Sequence, residues 1–296
     1  MKNRLHHIVL LVLMICLLAG TVFSAEVTEE QPLAAPTASG VLTKSAGKAT
    51  IDYSNTKDGY VMVNYNAATA KRLKVQVKGP ATTYTYDLMP GQWEVFPLTE
   101  GNGSYQTFVY ENVSGTRYST LVSAKFNVTL TNEFVPFLQP SQYVDYSAAP
   151  NTVAKAAEVV QGKTKALDKV KAVYDFVISH LTYDHQQAAT VQSGYVPDLD
   201  AVLEKKTGIC FDYAAMMTGM LRSQGIPCKM VFGYVGTAYH AWISVWSEET
   251  GWVDTIYFDG ASWKQMDPTF ASSALHSGSV NKDVGSNMVY TSKYQY

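Results

Sequence analysis

Three side chains that could perform thiol-dependent acyl transfer are spaced along the second half of the chain. Cys210 follows Thr207-Gly208-Ile209 and directly precedes an apolar stretch, so we expect it to open a helix. The free N–H groups at a helix N-terminus stabilise a thiolate relative to a thiol, which makes a cysteine there reactive. His240 opens a strand-like run, and Asp267 precedes Pro268 at the end of another. Together the three residue types suggest a Cys-His-Asp triad.

Each residue type fills one role that cysteine acyl chemistry requires. Cys210 supplies the nucleophile, His240 the base that accepts the thiol proton, and Asp267 the carboxylate that orients the base. The tetrahedral oxyanion needs hydrogen-bond donors. The main-chain N–H of Cys210 is the first candidate, and Tyr183 or a neighbour in its loop is the second. The sequence therefore predicts a complete site.

Other carboxylates compete with Asp267 for the orienting role. Asp254 and Asp259 lie close in sequence, but we expect both in an excursion or a turn. Asp212 is on the same helix turn as the cysteine and is too near it to orient His240. We therefore favour Asp267.

The triad also requires a particular pairing of strands in the sheet. Asp267 meets His240 if residues 240–246 pair antiparallel with residues 261–267, which makes residues 248–258 an excursion before a turn. In a simple meander through residues 252–258, the acid would end at the far side of the sheet from the base. The triad thus predicts the excursion.

The elements around these residues differ between the two parts of the chain. Residues 41–135 alternate apolar and polar positions between frequent turn signals, which is typical of a small antiparallel Ig-like sandwich. Residues 136–296 mix helical and strand patterns. Asn151 and Thr164 are expected to cap the first two helices, and the second helix is expected to bury one face. We list that face as Val170, Val173, Tyr174, Val177 and Leu181. The predicted fold class is α+β.

The first 25 residues have the pattern of an export signal. Lys2 and Arg4 precede an apolar run, and small residues near Ser24 and Ala25 suit cleavage. Residues 26–40 look like a flexible leader. We expect a protein outside the cytoplasm, secreted or in the cell envelope, with no transmembrane segment after cleavage.

Composition and charge narrow the function classes. The chain has 296 residues, of which 47% are hydrophobic, enough for two packed cores. Without residues 1–25 it has 21 basic and 25 acidic side chains, a net charge of −4 that argues against nucleic-acid binding. Neither metal-ligand spacing nor a phosphate-binding glycine loop occurs in the sequence, so we expect no metal and no cofactor.

Two cysteines remain after removal of the export signal, which contains Cys16. A disulfide is the common explanation for such a pair in a secreted protein. However, the helix from Cys210 to Gln224 would span about 20 Å, and Cys228 follows its far end. We therefore predict that Cys228 is a small apolar residue on a buried strand. Trp242, Trp246, Trp252 and Trp263 are expected in the core rather than in a substrate cleft.

Five short segments resemble the ordered motifs of the bacterial transglutaminase-like superfamily. They are Thr207-Gly208-Ile209-Cys210, Gly225-Ile226-Pro227, Gly233-Tyr234, His240-Ala241-Trp242 and Asp267-Pro268-Thr269, and Tyr183-Asp184 adds to the similarity. The resemblance covers about residues 153–270. It implies a papain-like α+β core with Cys210, His240 and Asp267 in the triad roles.

These observations favour an exported enzyme that acts on protein or peptide amides, including those of the cell envelope, through a thioester. Water as the acceptor gives a peptidase or amidase, which we favour because no lysine-recognition feature can be named. A lysine amine as the acceptor gives a crosslinking transglutaminase. The alternative from a different class is a cell-surface binding or scaffold protein that keeps the fold without turnover.

Overall fold

The structure is a computed structural model that describes residues 35–254, 257–258, 263–264, 269, 272 and 289–296. Its first part contains eight strands: β1 (Thr43–Ala46), β2 (Ala49–Asp52), β3 (Tyr60–Tyr65), β4 (Leu73–Lys78), β5 (Thr83–Leu88), β6 (Trp93–Pro97), β7 (Gly103–Ser114) and β8 (Arg117–Val128). They form two antiparallel sheets, in the orders β1-β2-β3-β6 and β5-β4-β7-β8. The expected all-β character of this region is confirmed.

The alternation in the sequence explains how these strands pack. In β4, Leu73, Val75 and Val77 are buried, whereas Lys74 and Gln76 are partly exposed. A strand turns successive side chains to opposite faces, so such alternation buries one face only. Both sheets contribute to one hydrophobic core. The Ig-like connectivity and the boundary at residue 135 stay predictions.

The second part begins with helices. They are α1 (Pro150–Val159), α2 (Ala166–His180), α3 (His185–Thr190), α4 (Leu199–Lys205) and α5 (Cys210–Arg222). Between them, β9 (Thr182–Tyr183) pairs in parallel with β10 (Thr207–Gly208). No helix among the described residues is both long and apolar enough to cross a bilayer.

The buried face of α2 is confirmed, but two helix starts differ from the prediction. Helix α1 begins at Pro150, one residue before Asn151, because proline has the φ angle of a first helical residue and lacks the N–H that would stay unpaired there. Helix α2 follows Lys165 rather than Thr164, and no side chain caps it. The five predicted core positions at its centre and end, 170 to 181, are all buried.

Six strands follow helix α5 among the described residues, and four of the six form the sheet that supports the site. They are β11 (Cys228–Val235), β12 (Ala238–Ser247), β13 (Gly251–Asp254), β14 (Tyr257–Phe258), β15 (Trp263–Lys264) and β16 (Tyr290–Gln295). Four of them are ordered β13-β12-β11-β16. Helix α5 packs against β11 and β12. Met216, Met217 and Met220 of the helix are fully buried in the core that also contains Met230 and Ile243.

The predicted pairing of residues 240–246 with 261–267 is wrong for the end of β12. Residues 244–247 pair with 251–254 instead. A tight turn causes this: Thr250 donates its N–H to the Ser247 carbonyl at 3.3 Å, and Gly251 has a φ of 69° that favours glycine. Asp254 therefore ends a paired strand and is not in an excursion.

Candidate active site

A short parallel bridge holds the loop that leads into α5. The Thr182 N–H donates to the Lys206 carbonyl at 2.9 Å, and the Asp184 N–H donates to the Gly208 carbonyl at 2.9 Å. Ile209 is then extended and Cys210 is the first residue of α5, as predicted. The bridge fixes the position of this helix N-terminus, where Cys210 is partly exposed.

The buried carboxylate of Asp212 caps the start of the helix. It is the third residue of α5, and its Oδ2 accepts the Ile209 N–H at 2.8 Å. Its Oδ1 accepts the Tyr195 hydroxyl at 2.5 Å, and Gln187 Nε2 donates to Oδ2 at 3.3 Å. A carboxylate at this position satisfies an N–H that the helix leaves free. Asp212 is thus committed to the loop, which agrees with its exclusion as orienter of His240.

Burial raises the pKa of Asp212, and the close approach of Asp212 to the main chain requires a glycine at position 208. The pKa of Asp212 is raised because burial disfavours its charged form, although the hydrogen bonds from Tyr195 and Ile209 oppose that shift. A Cβ atom on Gly208 would lie 2.6 Å from the Asp212 Cβ. Glycine is therefore required before Ile209 because the carboxylate approaches the main chain closely.

The Tyr183-Asp184 segment lies beside the same loop. Tyr183 pairs with Gly208 in the parallel bridge. Asp184 caps α3 by accepting the Gln187 N–H at 2.8 Å, and Lys205 Nζ lies 3.1 Å from its Oδ2. These contacts lower the pKa of Asp184, the hydrogen bond from Gln187 most. Tyr183 or a neighbour as the second oxyanion donor stays a prediction.

His240 lies in β12, opposite Gly233 of β11. Only 8% of its surface is exposed, and its ring stands 6.4 Å from the Trp242 ring at an interplanar angle of 21°. A Cβ atom on Gly233 would lie 2.0 Å from the Thr291 carbonyl oxygen and 2.7 Å from Trp242 Cη2. The glycine therefore permits the close packing of β16 and Trp242 around the strand that faces His240.

Aromatic contacts fix the position of the start of α5 along the strands of the sheet. The Phe211 ring lies 4.9 Å from the Phe232 ring, and Phe232 pairs with Ala241. Tyr239 stacks on Phe232 at 5.9 Å, and its pKa is raised, mainly by burial and in a small part by Cys210 nearby. The start of α5 therefore contacts β11 at Phe232, whose partner in β12 is Ala241, the residue after His240. Cys210 and His240 lie on two elements that pack together.

The third member of the predicted triad, Asp267, lies outside the described residues, as does its competitor Asp259. Ser272, five positions after Asp267, is described and fully buried. Its hydroxyl donates to the Leu181 carbonyl at 2.5 Å and lies 3.0 Å from the hydroxyl of Tyr213, three residues after Cys210. The role of Asp267 stays a prediction.

The prediction for Cys228 is confirmed. Its thiol is free, fully buried in β11 and 3.6 Å from Thr218 Oγ1 of α5. Burial raises the pKa of Cys228 to about 12. This cysteine is part of the core and is protonated at neutral pH.

Sequence reasoning missed the aromatic residues that line a cavity at the start of α5. Of the tryptophans, Trp242 is buried, and Trp246 and Trp252 pack against Phe134 and Phe137. A cavity of about 250 Å³ instead adjoins Phe211 and is lined by Thr85, Tyr143, Phe211, Phe232, Tyr239, Tyr294 and Tyr296. These residues come from six separate elements or segments of the chain, so no local pattern could have identified them.

Potential metal ligands do not cluster in the part of the chain that the structure describes. No group of three or more His, Cys, Asp or Glu side chains there could hold a metal ion.

The fold and site define a mixed α/β domain in which a cysteine opens a helix packed on an antiparallel sheet that carries a histidine. Residues 153–268 match the model of the Transglutaminase-like superfamily. We refer to this part of the chain as the transglutaminase-like domain.

Individual proteins and structures are similar to parts of this chain. YebA of Bacillus subtilis is 29% identical over 153 residues, 45% of this chain and 19% of YebA. A protein-glutamine gamma-glutamyltransferase of Pseudomonas aeruginosa is 34% identical over 74 residues, 20% of this chain and 11% of the relative. The chain thus spans a fifth or less of these relatives. A crystal structure of a "Putative Cysteine Protease from Cytophaga hutchinsonii" aligns at 14% identity with a TM-score of 0.37, over 80% of this chain and 91% of that chain.

Proposed function

We propose that this protein is an exported enzyme that transfers acyl groups from protein or peptide amides through a thioester on Cys210. The observation that carries the proposal is the position of Cys210, partly exposed at the first residue of α5, a helix that packs against the strand β12 that contains His240. The match of residues 153–268 to the transglutaminase-like superfamily supports the same chemistry.

The proposed reaction has two halves. His240 accepts the proton of the Cys210 thiol, and Sγ attacks the amide carbonyl carbon, so that an S–C bond forms and the carbonyl electron pair moves to oxygen. The main-chain N–H of Cys210 donates to that oxyanion. The C–N bond then breaks, and the departing amine takes the proton from His240. A thioester remains, and Asp267 keeps the imidazole oriented throughout.

Water is the acceptor that we propose for the second half. It attacks the thioester carbon, loses its proton to His240, and releases a carboxylic acid as the C–S bond breaks and the thiol is restored. Tyr239, beside Cys210, is 54% exposed, so solvent reaches the edge of the site. Transfer to an amine requires that water be kept away from the thioester. The solvent-exposed edge therefore supports hydrolysis.

Transfer to an amine is the second candidate. The relative from Pseudomonas aeruginosa is named as a protein-glutamine gamma-glutamyltransferase, and it matches 74 residues of this chain. With a lysine amine in place of water, the same thioester would give a crosslink between proteins. The two candidates share all steps up to the thioester.

One experiment tests both. Wild type, Cys210→Ala and the matched control Cys228→Ala are incubated with a casein-like protein and with cell-wall peptides, with and without a primary amine. Ammonia release, new N-termini and amine incorporation are followed. We expect wild type and Cys228→Ala to produce ammonia or new N-termini, and Cys210→Ala to produce neither. Equal results for Cys210→Ala and wild type in every assay would favour the binding or scaffold alternative.

Export is the part of the proposal that rests on residues 1–25 alone. Expression of the full chain in a bacterial host, followed by fractionation, should place a shortened protein outside the cytoplasm. N-terminal sequencing should map the cleavage to the region of Ser24 and Ala25. A full-length protein confined to the cytoplasm would contradict this part.

A further inference from the structure

The cavity beside Cys210 is built from both parts of the chain. Thr85 comes from β5 of the first part, and Tyr143 comes from the segment that joins the two parts. Phe211, Phe232 and Tyr239 come from the transglutaminase-like domain, and Tyr296 directly follows β16, which pairs with β11 of that domain. Phe211 is the residue after Cys210, and Tyr239, which also lines the cavity, is close enough to Cys210 for the two side chains to interact electrostatically. Two residues of the lining therefore lie near the candidate nucleophile.

Ring contacts through Tyr296 connect the β5 wall to the transglutaminase-like domain. Tyr84 and Tyr86, the neighbours of Thr85, lie 5.4 Å and 5.7 Å from the Tyr296 ring. The Tyr296 ring in turn lies 5.6 Å from Phe232. Aromatic pairs at these separations attract each other. Thr85 is therefore held in place as part of the cavity wall.

The cavity has no charged side chain among the described residues that line it. Burial raises the pKa of Tyr143, Tyr239 and Tyr296, so their hydroxyl groups are neutral at pH 7. Of the charges nearby, Asp87 pairs with Lys74 at 2.8 Å, and the Lys293 ammonium lies over the Tyr294 ring at 5.5 Å, so none of them belongs to the lining itself. An occupant with a net charge would lose its hydration here without gaining a counter-ion.

The size of the cavity also limits its occupant. Pockets for drug-sized molecules have volumes of about 300–1,000 Å³. At about 250 Å³ this cavity is smaller, so it suits one large side chain rather than a whole small molecule. Ring faces on several sides favour a flat or apolar group.

We propose that this cavity is a specificity pocket that accepts an uncharged aromatic or large apolar side chain of the substrate peptide, next to the amide that Cys210 attacks, and that the β-sheet part of the chain forms one of its walls. The inference rests on the proposed function, since it names the substrate of the same thiol. It gives the first part of the chain a direct role in substrate choice.

The test measures protection of Cys210 from iodoacetamide, which does not depend on turnover. Capped peptides acetyl-Gly-X-Gly-amide, with X as Phe, Ala, Lys or Glu, are titrated, and alkylation of Cys210 is followed by mass spectrometry. We expect the Phe peptide to protect at a concentration at least about tenfold lower than the Ala peptide, the effect of burying one large apolar side chain. The Lys and Glu peptides should protect no better than the Ala peptide.

Four variants of β5 locate the pocket. Thr85 and Thr83 are both exposed and lie two residues apart in the same strand, but only Thr85 lines the cavity. Thr85→Trp should fill the cavity and reduce the Phe-to-Ala difference to about twofold, whereas the matched control Thr83→Trp should keep it. Thr85→Lys should favour the Glu peptide over the Lys peptide, and Thr85→Glu should do the reverse.

The outcomes separate this inference from the proposed function. If Cys210 reacts quickly with iodoacetamide but Phe and Ala peptides protect equally, the pocket is refuted and the proposed function stands. The pocket is also refuted if the Lys peptide protects best, if Thr85→Trp keeps the preference, or if Thr83→Trp removes it to the same extent. If Cys210 reacts as slowly as Cys228, the proposed function itself fails.

Discussion

Helix α5 has a cysteine close to each of its ends, and the two ends are built from opposite polar groups. At its start, Cys210 is partly exposed and the buried carboxylate of Asp212 accepts a main-chain N–H of the loop. At its end, Arg222 is buried and donates to main-chain oxygens, and Cys228 follows in the core. An anionic group near the N-terminus and a cationic group near the C-terminus both suit the helix dipole. The similarity ends at the thiols.

The difference shows what makes a cysteine available for chemistry. Cys228 fills space between α5 and β11, and burial raises its pKa to about 12, so at neutral pH it remains a thiol. Cys210 has the opposite surroundings, with solvent on one side and free helix N–H groups on the other. One residue type therefore serves packing at one end of the helix and proposed catalysis at the other.

Alkylation should give the largest contrast between the two ends. In the folded protein near pH 7, we expect Cys210 to react with iodoacetamide at least about 100-fold faster than Cys228, because a thiol with a pKa of about 12 is almost never ionised. Peptide mapping after timed quenching measures both rates. In denaturant the two rates should converge, which is the control. Equal rates in the folded protein would remove the distinction between the two thiols.

The parts of this comparison that local sequence patterns determine could be predicted. The apolar stretch after Gly208 indicated a helix that starts at Cys210, and the strand pattern after Pro227 indicated that Cys228 is buried. Likewise, apolar residues at helical spacing identified the buried face of α2. In each case one face or one terminus is encoded by residues close together in the chain.

Features that depend on distant residues could not be predicted in this way. The pairing of residues 244–247 was missed because the tight turn at Thr250 and Gly251 competes with a more distant partner strand. The lining of the cavity beside Cys210 brings together positions from Thr85 to Tyr296. Such contacts are set by how the two parts of the chain pack, which periodicity does not report. Asp267, outside the described residues, remains a prediction from sequence.

Of the changes that affect stability, removal of the Arg222 charge at the C-terminal end of α5 should have the largest effect. Arg222 donates to the carbonyl of Cys228 at 2.9 Å, the carbonyl of Gln139 at 2.8 Å and the main-chain oxygen of Tyr296 at 2.7 Å. Arg222→Met would leave all three acceptors without this donor, so we expect a loss of at least about 3 kcal/mol in the free energy of unfolding. Urea denaturation measures it.

Arg222→Lys is the matched control for this prediction. An ammonium group cannot donate to three oxygens in different directions as a guanidinium does. The loss in the free energy of unfolding should therefore be smaller for Arg222→Lys than for Arg222→Met, but not zero. A variant Arg222→Met within about 1 kcal/mol of wild type would show that the far end of the helix does not depend on this cation.

The pH dependence of stability should distinguish the carboxylate at the start of the helix. Burial raises the pKa of Asp212, so the folded state binds its proton more tightly than the unfolded state does. The stability that the Asp212 carboxyl group contributes is therefore greatest below the pKa that it has in the unfolded state. This stability is lost as the pH rises through the pKa that it has in the folded state. Relative to wild type, Asp212→Asn should gain melting temperature between pH 3 and pH 7.

Asp200→Asn provides the control of opposite sign. Asp200 accepts hydrogen bonds from the Thr152 side chain at 2.8 Å and the Thr152 N–H at 2.7 Å, and hydrogen bonds to this residue lower its pKa although burial opposes the shift. Its contribution is present above the unfolded pKa and is lost as the pH falls. Asp200→Asn should therefore lose melting temperature, relative to wild type, over the same pH range. If the melting temperatures of both variants changed in the same direction relative to wild type, the pKa of the buried Asp212 would not differ from that of Asp200 in the expected way.

The smallest effect that we expect concerns the main chain just before Cys210. Lys206, which ends α4, has a φ of 59°, a left-handed conformation that a residue with a Cβ adopts at a cost of about 1–2 kcal/mol. Lys206→Gly removes that cost but adds conformational freedom to the unfolded chain, worth about 0.4–1 kcal/mol. The net expectation is a stabilisation of about 0.5–1 kcal/mol, measured by urea denaturation.

The neighbouring helix supplies the control for this last change. Glu204 is exposed within α4, where glycine has no conformational advantage, so Glu204→Gly should destabilise by about 0.5–1 kcal/mol. Since the Lys206 carbonyl accepts the Thr182 N–H that anchors the loop before Cys210, the alkylation rate of Cys210 should be followed in both variants. A stabilised Lys206→Gly with an unchanged rate would mean that the bridge to β9 positions the thiol without help from the left-handed residue. A stabilised variant with slower alkylation would mean that this conformation itself helps to present the thiol.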